Sequence, residues 1–330
     1  MTQPDAIEEL TRTLRADIDA VHAQVAAEIA AVATALYTQP VAVRTTRLRA
    51  LERTLLALAD QVDAIAARYV TTAIQTAYEI GAWATAVTTG TSATFAPLDV
   101  DAITHIAGDT MDSLLHATKG MREDIKVLIR ETVRDRVRTK VFTGQTAVQA
   151  GKDLAIELAE RGVTAVTYAD GRRVSLPTYA DMVVRTKTAE AYQEGGMNQG
   201  ERLGIEWWEV MDGPGCGWAS HDDPTKADGM IVPLATAREH PTSHPNCRRS
   251  TSPRPDITSA REARDASPTP SGDATRDREV AVAQQARAQR LVAVSAGGPG
   301  RASAGLDLQA GTVPPSAAAL RHAAMLRRRA

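Results

Sequence analysis

The stretch DAIEELTRTLRADIDAVHAQVAAEIAAVATAL, residues 5–36, determines the character of the first half of the chain. Its apolar residues recur in steps of three and four, which places them on one stripe of an α-helix. A second run with alternating three and four spacing lies between Leu48 and Tyr69, after Pro40, and predicts a second long helix that pairs antiparallel with the first. The stripe of the first helix comprises Ile7, Leu10, Leu14, Ile18, Val21, Val25, Ile29, Val32 and Leu36.

Shorter helices are predicted after a break rich in Gly, Ser, Thr and Pro between Gly90 and Pro97. Apolar periodicity indicates one helix near residues 101–118 and another from Ile125 to Val141. Thr146 and Gln149 have the spacing of a capping box, and Gly162 is placed to end the helix that they would begin. We therefore predict a helical domain over residues 1–162.

The helical spacing of the apolar residues ends at Val163, where β-prone segments begin. VTAVTY (163–168) and RRVSL (172–176) flank an Asp-Gly pair, which predicts a β-hairpin. Thr178, after Pro177, is a candidate cap for a helix running toward Leu203, and IEWWEVM (205–211) reads as a strand. Adjacent strand residues face opposite sides, so one of Trp207 and Trp208 is expected in a core. The sequence thus predicts the α+β class, with a small α+β domain over residues 163–255.

Composition and charge exclude several classes of protein. The 330 residues carry a net charge of -2, which excludes a uniformly basic nucleic-acid coat. Two cysteines exclude a disulfide-dense secreted scaffold, the first residues lack a secretory signal pattern, and no stretch is apolar enough to predict a membrane partner. Residues 256–330 contain no lysine, aromatic residue or cysteine, and we predict that they form a disordered tail.

Both cysteines lie in a loop-like stretch with a spacing that fits a metal site. Cys216 precedes His221 by five residues, and His244 precedes Cys247 by three. Two short thiolate and imidazole pairs separated by a loop can supply the four ligands of a structural zinc ion. His240 or Asp222 could replace one of these ligands. Alternatives are a metal-free loop with free thiols and a disulfide between the two cysteines.

Three segments carry a resemblance to a known family. They are TYADMVVRTKTAEAY (178–192), EVMDGPGCGWASHDDP (209–224) and SHPNCRRSTSPRPD (243–256). They resemble the signature of phage minor head proteins, the MuF-like head-morphogenesis family, in the form found in phages of actinobacteria. The matching positions are Arg185, Thr186, Cys216, His221, His244, Pro245, Cys247 and Arg248. Many members have a Cys-x-x-Cys in the first turn, where this chain has only Cys216.

The resemblance implies a non-catalytic protein of the phage head. Its expected partner is the portal protein, with major capsid or scaffold protein as a further candidate, and its expected location is the capsid interior near the portal, or the host cytoplasm during assembly. The expected role is in procapsid assembly and in DNA packaging or ejection. The alternatives are a nucleic-acid-binding module with a zinc loop, and a zinc nuclease with His and Cys ligands.

Arginines near the loop and in the tail predict contact with DNA. Residues 253–330 contain twelve Arg and seven Asp and Glu, a net charge of +5. Arginines on a flexible tail can bind duplex phosphates without reading the sequence, whereas a solvating linker is the alternative. The candidate DNA-binding residues are Arg248, Arg249, Arg254, Arg327, Arg328 and Arg329. A structural role is expected for Arg185, Thr186, Trp208 and Pro245.

Overall fold

The computed structural model describes residues 3–36, 39–132, 156, 165–168, 171–213 and 215–267. Six helices and five strands lie in these ranges. In chain order they are α1 (Gln3–Leu36), α2 (Val41–Thr88), α3 (Pro97–Thr132), β1 (Ala165–Thr167), β2 (Arg173–Ser175), α4 (Leu176–Arg202), β3 (Trp207–Met211), β4 (Ile231–Pro233), α5 (Leu234–Glu239), β5 (Ser250–Pro253) and α6 (Ala260–Ala266).

Some sequence predictions lie outside the described residues. These are the helical pattern at Val137 and Val141, the capping box at Thr146 and Gln149, and the helix end at Gly162. The predicted domain boundary between residues 162 and 163, the tail from residue 268, and Arg327, Arg328 and Arg329 also lie outside.

The two long N-terminal helices are confirmed. On α1 the stripe residues Ile7, Leu14, Ile18, Val21, Val25 and Ile29 are buried, and on α2 Leu48, Leu51, Leu55, Leu58, Val62 and Ile65 are buried. Arg68 of α2 reaches Asp17 of α1 at 3.8 Å, so α2 runs back alongside α1. The three- and four-residue spacing correctly predicted both the helices and their buried faces.

The third helix is longer than the sequence predicted. In place of two shorter helices, α3 continues unbroken from Pro97 to Thr132. Its buried stripe continues through Leu114, Met121 and Ile125. A Cβ added at Gly108 or Gly120 would meet no atom within 4 Å, so these glycines mark neither a close approach nor a break in the helix. The stripe, rather than the glycines, determines the length of α3.

The chain forms two compact units that are discontinuous in sequence. The first comprises the described residues within Met1–Leu10, Thr71–Ala107 and Arg185–Ala330, and the second those within Thr11–Val70 and Gly108–Val184. Each of the four long helices, α1 to α4, contributes one part of its length to each unit.

Within the first unit, α2 and α4 cross at glycines. A Cβ at Gly81 would lie 1.8 Å from the carbonyl oxygen of Tyr192, and one at Gly195 would lie 2.1 Å from that of Tyr78. Only glycine permits this approach of two backbones. Beside the crossing, Asn198 donates a hydrogen bond of 2.6 Å to the Tyr78 hydroxyl, which donates to Asp99.

The predicted hairpin is confirmed, but the predicted helix cap is wrong. β1 and β2 pair antiparallel, with Val166 opposite Val174, and Gly171 in the turn has a φ of 83°. The helix α4 begins at Leu176, and the backbone N–H of Thr178 donates to the Ser175 hydroxyl at 3.3 Å. Ser175 therefore caps the helix. Pro177 occupies the first turn, where backbone N–H groups have no partner within the helix, so the missing N–H of proline costs no hydrogen bond.

The second sheet has three antiparallel strands in the order β4-β3-β5. Trp208 of β3 is 1% exposed and packs with Met197 of α4, Val210 and Val232, which confirms the prediction that one tryptophan of the pair is in the core. A Cβ at Gly200 would lie 2.3 Å from the Trp208 ring, so α4 needs a glycine where it covers the indole. This sheet and α4 position the candidate site.

The predicted start of the disordered tail at residue 256 is wrong. Residues 260–266 form the helix α6, which begins with a capping box between Ser259 and Glu262. Ala263 is buried, and the backbone N–H of Ile231 in β4 donates to the Ser267 hydroxyl at 3.0 Å. The ordered structure extends beyond the predicted boundary because this short helix packs against β4.

Candidate metal centre

Two loops meet at one end of the three-stranded sheet because of its register. Met211, the last residue of β3, pairs with Ser250, the first residue of β5. The antiparallel pairing therefore places Asp212, which follows β3, beside Arg249, which precedes β5. The first loop starts at Asp212 and the second ends at Arg249, so the residues of both loops converge here.

Cys216, His221 and His244 form a cluster of potential metal ligands at this end. The Cys216 sulfur lies 3.9 Å from Nδ1 of His221 and 3.6 Å from Nε2 of His244. The three ligand atoms all lie within 4.8 Å of one another. His221 is exposed, whereas Cys216 and His244 are half-buried. The structure thus brings together three of the four predicted ligands.

Cys247, the fourth predicted ligand, lies beside the cluster and is buried. Its sulfur is 3.8 Å from Oδ1 of Asp212, and its backbone N–H donates to the carbonyl oxygen of His244 at 3.1 Å. Burial, and after it the Asp212 carboxylate, raises the pKa of the Cys216 thiol. The Asp212 carboxylate therefore acts on both thiols. Both cysteines are free, so the disulfide alternative is not formed.

The two substitute ligands considered from the sequence lie outside this group of three. His240 follows α5, and its ring packs on Trp218 with the centroids 4.4 Å apart. Asp222 is exposed. The carboxylate closest to the thiols is instead Asp212, which the sequence analysis did not single out.

Local hydrogen bonds shape the loop that carries His221. The Asp223 carboxylate accepts from the backbone N–H groups of Ala219 and Thr225, at 2.9 and 2.8 Å. A Cβ at Gly217 would lie 2.3 Å from the carbonyl oxygen of Ser220, so the tight turn requires a glycine there. The loop thus folds back on itself and presents His221 to Cys216.

Comparison with known families gives a match over more than half of the chain. The model of phage minor capsid protein 2 matches residues 41–215, which include α2, α3, the hairpin, α4 and β3. The chain belongs to the phage minor capsid protein 2 family. Its role is therefore capsid-associated and its location is the virion, as the resemblance to phage minor head proteins implied. No curated protein and no solved structure gave a significant match.

The family match ends at residue 215, immediately before Cys216. The cluster of this minor capsid protein therefore lies in the part of the chain that the family model does not cover.

Arg249 is the buried residue that connects the two loops of the centre. The prediction that it binds DNA is wrong. Its side chain is completely buried, and Nε donates to Asp212 at 2.8 Å. The guanidinium also donates to the carbonyl oxygens of Gly217, Trp218 and His240, at 2.7, 3.0 and 3.0 Å. A phosphate cannot reach a side chain enclosed in this way. Since successive residues entering a strand face opposite sides, the pair Arg248 and Arg249 carried a signal that one of them points inward.

The other predicted DNA-binding arginines differ in their surroundings. Arg248 is exposed. Arg254 is paired with Asp256 at 2.6 Å and with Glu209 at 3.0 Å, and the hydrogen bonds to Asp256 raise the pKa of its guanidinium. DNA contact by Arg248 and Arg254 stays a prediction.

No helix among the described residues is long and apolar enough to cross a membrane.

The helix α4 holds the second loop through two polar residues. The backbone N–H of Asn246 donates to the Thr186 hydroxyl at 3.3 Å, which connects the predicted motif residue to the His-Pro-Asn-Cys turn. Gln193, which the sequence analysis missed, donates to the carbonyl oxygens of Pro241 and Arg249 at 2.9 and 3.0 Å. Arg185 pairs with Glu8 at 2.7 Å, a partner that the sequence analysis did not consider.

The protonation of Cys216 gives a first testable prediction for the metal-free minor capsid protein. Burial, together with the Asp212 carboxylate, raises the pKa of its thiol to about 11. Because the thiolate is the reactive form, Cys216 at pH 8 should contain roughly 100-fold less thiolate than an ordinary cysteine. We expect alkylation by iodoacetamide after chelator treatment to be slow at pH 8 and to accelerate toward pH 11.

Peptide mass spectrometry separates the labelling of Cys216 from that of Cys247. The denatured chain provides the control, in which both thiols should react with an ordinary pH profile. A profile for folded Cys216 with its midpoint near that of the denatured chain would contradict the prediction.

Proposed function

We propose that this minor capsid protein acts at the portal vertex of the phage head, in procapsid assembly and in DNA packaging or ejection, without catalysing a reaction. The observation that carries the proposal is the family match, which spans α2, α3, α4 and the strand β3 that leads to the centre. Portal protein is the proposed main partner, with major capsid or scaffold protein as a further candidate. Non-specific contact with double-stranded DNA belongs to the same proposal, as does a location inside the capsid near the portal.

The surface of α1 supports a protein-binding role. Ala26, Ala27, Ala30 and Ala31 are exposed, whereas Ile29 on the opposite side is buried. Small side chains allow the backbone of a partner helix to approach closely. Combined with membership of a capsid family, this alanine face of α1 is the proposed contact with the portal protein.

A non-catalytic role is supported by how the two imidazoles of the centre are used. His221 and His244 both turn a ring nitrogen toward the Cys216 sulfur. A zinc nuclease needs a general base beside an open metal position. In the proposed centre both imidazoles would be metal ligands, which leaves neither of them as that base.

Co-purification with portal protein tests the proposed contact. The double variant Ala27→Arg with Ala30→Arg should abolish co-purification of the full chain with portal protein, because two long charged side chains would separate the helices. The control Ala16→Arg changes an exposed alanine on the same helix, several turns away, and should retain binding. Circular dichroism should show unchanged helix content in all variants.

A mass-spectrometric inventory of purified particles tests the role itself. We expect the protein in both procapsids and virions, at low copy relative to the major capsid protein. Its absence from both particles would refute the role at the portal vertex. Retained portal binding by the double variant would instead move the contact away from α1.

A further inference from the structure

We propose that Cys216, His221, His244 and Cys247 bind one structural Zn²⁺ ion in tetrahedral geometry, and that the ion joins the two loops at the end of the sheet. Three of these ligands already form a cluster. The inference does not depend on the role at the portal vertex, because it uses the geometry of the two loops and not the family match.

Two sulfur–nitrogen distances in the cluster fit the edges of a zinc tetrahedron. With ordinary Zn–S and Zn–N bond lengths, a sulfur and a nitrogen ligand on one zinc ion lie about 3.6 Å apart. The Cys216 sulfur is 3.6 Å from His244 Nε2 and 3.9 Å from His221 Nδ1. The two ring nitrogens lie within 4.8 Å of each other, and movement of the exposed His221 ring toward the usual separation of about 3.3 Å would let a single ion contact all three atoms.

The orientation of His244 also suits a ligand. Its Nδ1 lies 2.8 Å from the carbonyl oxygen of Pro245, an acceptor that requires a proton on this nitrogen. Nε2, which faces Cys216, is then left with a free lone pair. A backbone carbonyl holding the second ring nitrogen is a common support for metal-bound imidazoles. Pro245, one of the predicted motif residues, thus contributes through its backbone.

Cys247 is placed to close the site from the buried side. Its sulfur lies 3.8 Å from Oδ1 of Asp212, which belongs to the same loop as Cys216. Cys247 also follows His244 by three residues, in a turn closed by a hydrogen bond between their backbones. Rotation of its side chain away from Asp212 would bring the second sulfur toward the cluster and supply the fourth ligand.

The charges around the site balance when zinc is bound. Binding replaces the two thiol protons, which pass to solvent, and leaves two thiolates opposite one Zn²⁺ ion. The remaining charges, Asp212 and Arg249, form a completely buried ion pair and cancel each other. The bound centre is therefore neutral overall, which limits the cost of burying it.

Metal content and cobalt spectroscopy of the full-length chain test the proposal. Protein purified without chelators should contain one zinc per chain by elemental analysis. After removal of zinc, titration with Co²⁺ should produce the intense visible bands of tetrahedral cobalt and a thiolate-to-cobalt charge-transfer band. The absence of both stoichiometric zinc and these bands would overturn the proposal.

Variants identify the ligands. Cys216→Ser and Cys247→Ser should each reduce the charge-transfer band by about half, because each removes one of two thiolates. His221→Ala should weaken zinc binding about 100-fold or more, since a closed site loses one of its four ligands. Full charge-transfer intensity in Cys247→Ser would overturn the proposed ligand set.

Two further variants distinguish the loss of a ligand from misfolding. His221→Cys, at an exposed position, should keep zinc and increase the charge-transfer band, a gain that misfolding cannot produce. The matched control Asp222→Asn changes the exposed neighbour of His221 and should leave zinc content and spectrum unchanged. A loss of zinc in Asp222→Asn as large as in His221→Ala would contradict the proposed site.

Discussion

Arg249→Met should lower the free energy of unfolding by about 3–5 kcal/mol, the usual cost of removing one partner from a buried ion pair. The variant removes the charge that compensates Asp212 and leaves three backbone carbonyl oxygens without their donor. Burying unpaired groups of this kind costs more than the lost hydrogen bonds themselves. Chemical denaturation of the full chain, followed by tryptophan fluorescence, measures the change.

Arg248→Met is the matched control for this prediction. Arg248 is adjacent in sequence but exposed, so its replacement should change stability by no more than about 0.5 kcal/mol. The double variant Asp212→Asn with Arg249→Met should lose less stability than the two single variants lose in sum, because the charges of the two groups compensate each other. Equal effects of Arg248→Met and Arg249→Met would show that the buried pair does not organise the centre.

Gly81→Ala and Gly195→Ala should each destabilise the first unit by about 3 kcal/mol or more, at the upper end of the range for overpacking. In each case the added methyl group would meet a backbone carbonyl of the partner helix, at 1.8 and 2.1 Å. Backbone cannot move aside as a flexible side chain can, so α2 and α4 would have to separate. Thermal unfolding followed by circular dichroism is the measurement.

Gly108→Ala and Gly120→Ala provide controls on α3, where the added methyl group meets nothing within 4 Å. At these positions the only effect of alanine is its higher helix propensity. The free energy of unfolding of each control should therefore rise by about 0.5–1 kcal/mol. The same substitution should thus decrease stability at the crossing and increase it on α3. A stability gain for Gly81→Ala or Gly195→Ala would contradict the close crossing of the two helices.

Several features of the candidate centre were predictable because they depend on short-range chemistry. The spacing of Cys216 with His221, and of His244 with Cys247, singled out four candidate ligands from residue types alone, and the structure brings three of them together. The role of Arg249 was not predictable in this way. An arginine beside a second arginine near a loop resembles a phosphate-binding pair, and only the register of β3 with β5 turns Arg249 inward to Asp212.

By itself the sequence determined the long helices, the hairpin, the strand at Trp207–Met211 and the two loops with the candidate ligands, because each depends on periodicity, turn residues or spacing within a few tens of residues. Only the tertiary structure decided the composition of the two compact units, the unbroken α3 and the packing of α6 on β4. It also decided the crossing of α2 with α4 and the burial of Arg249. These features depend on contacts between residues far apart in the chain, where the free energy of packing and of pairing a buried charge outweighs local preference.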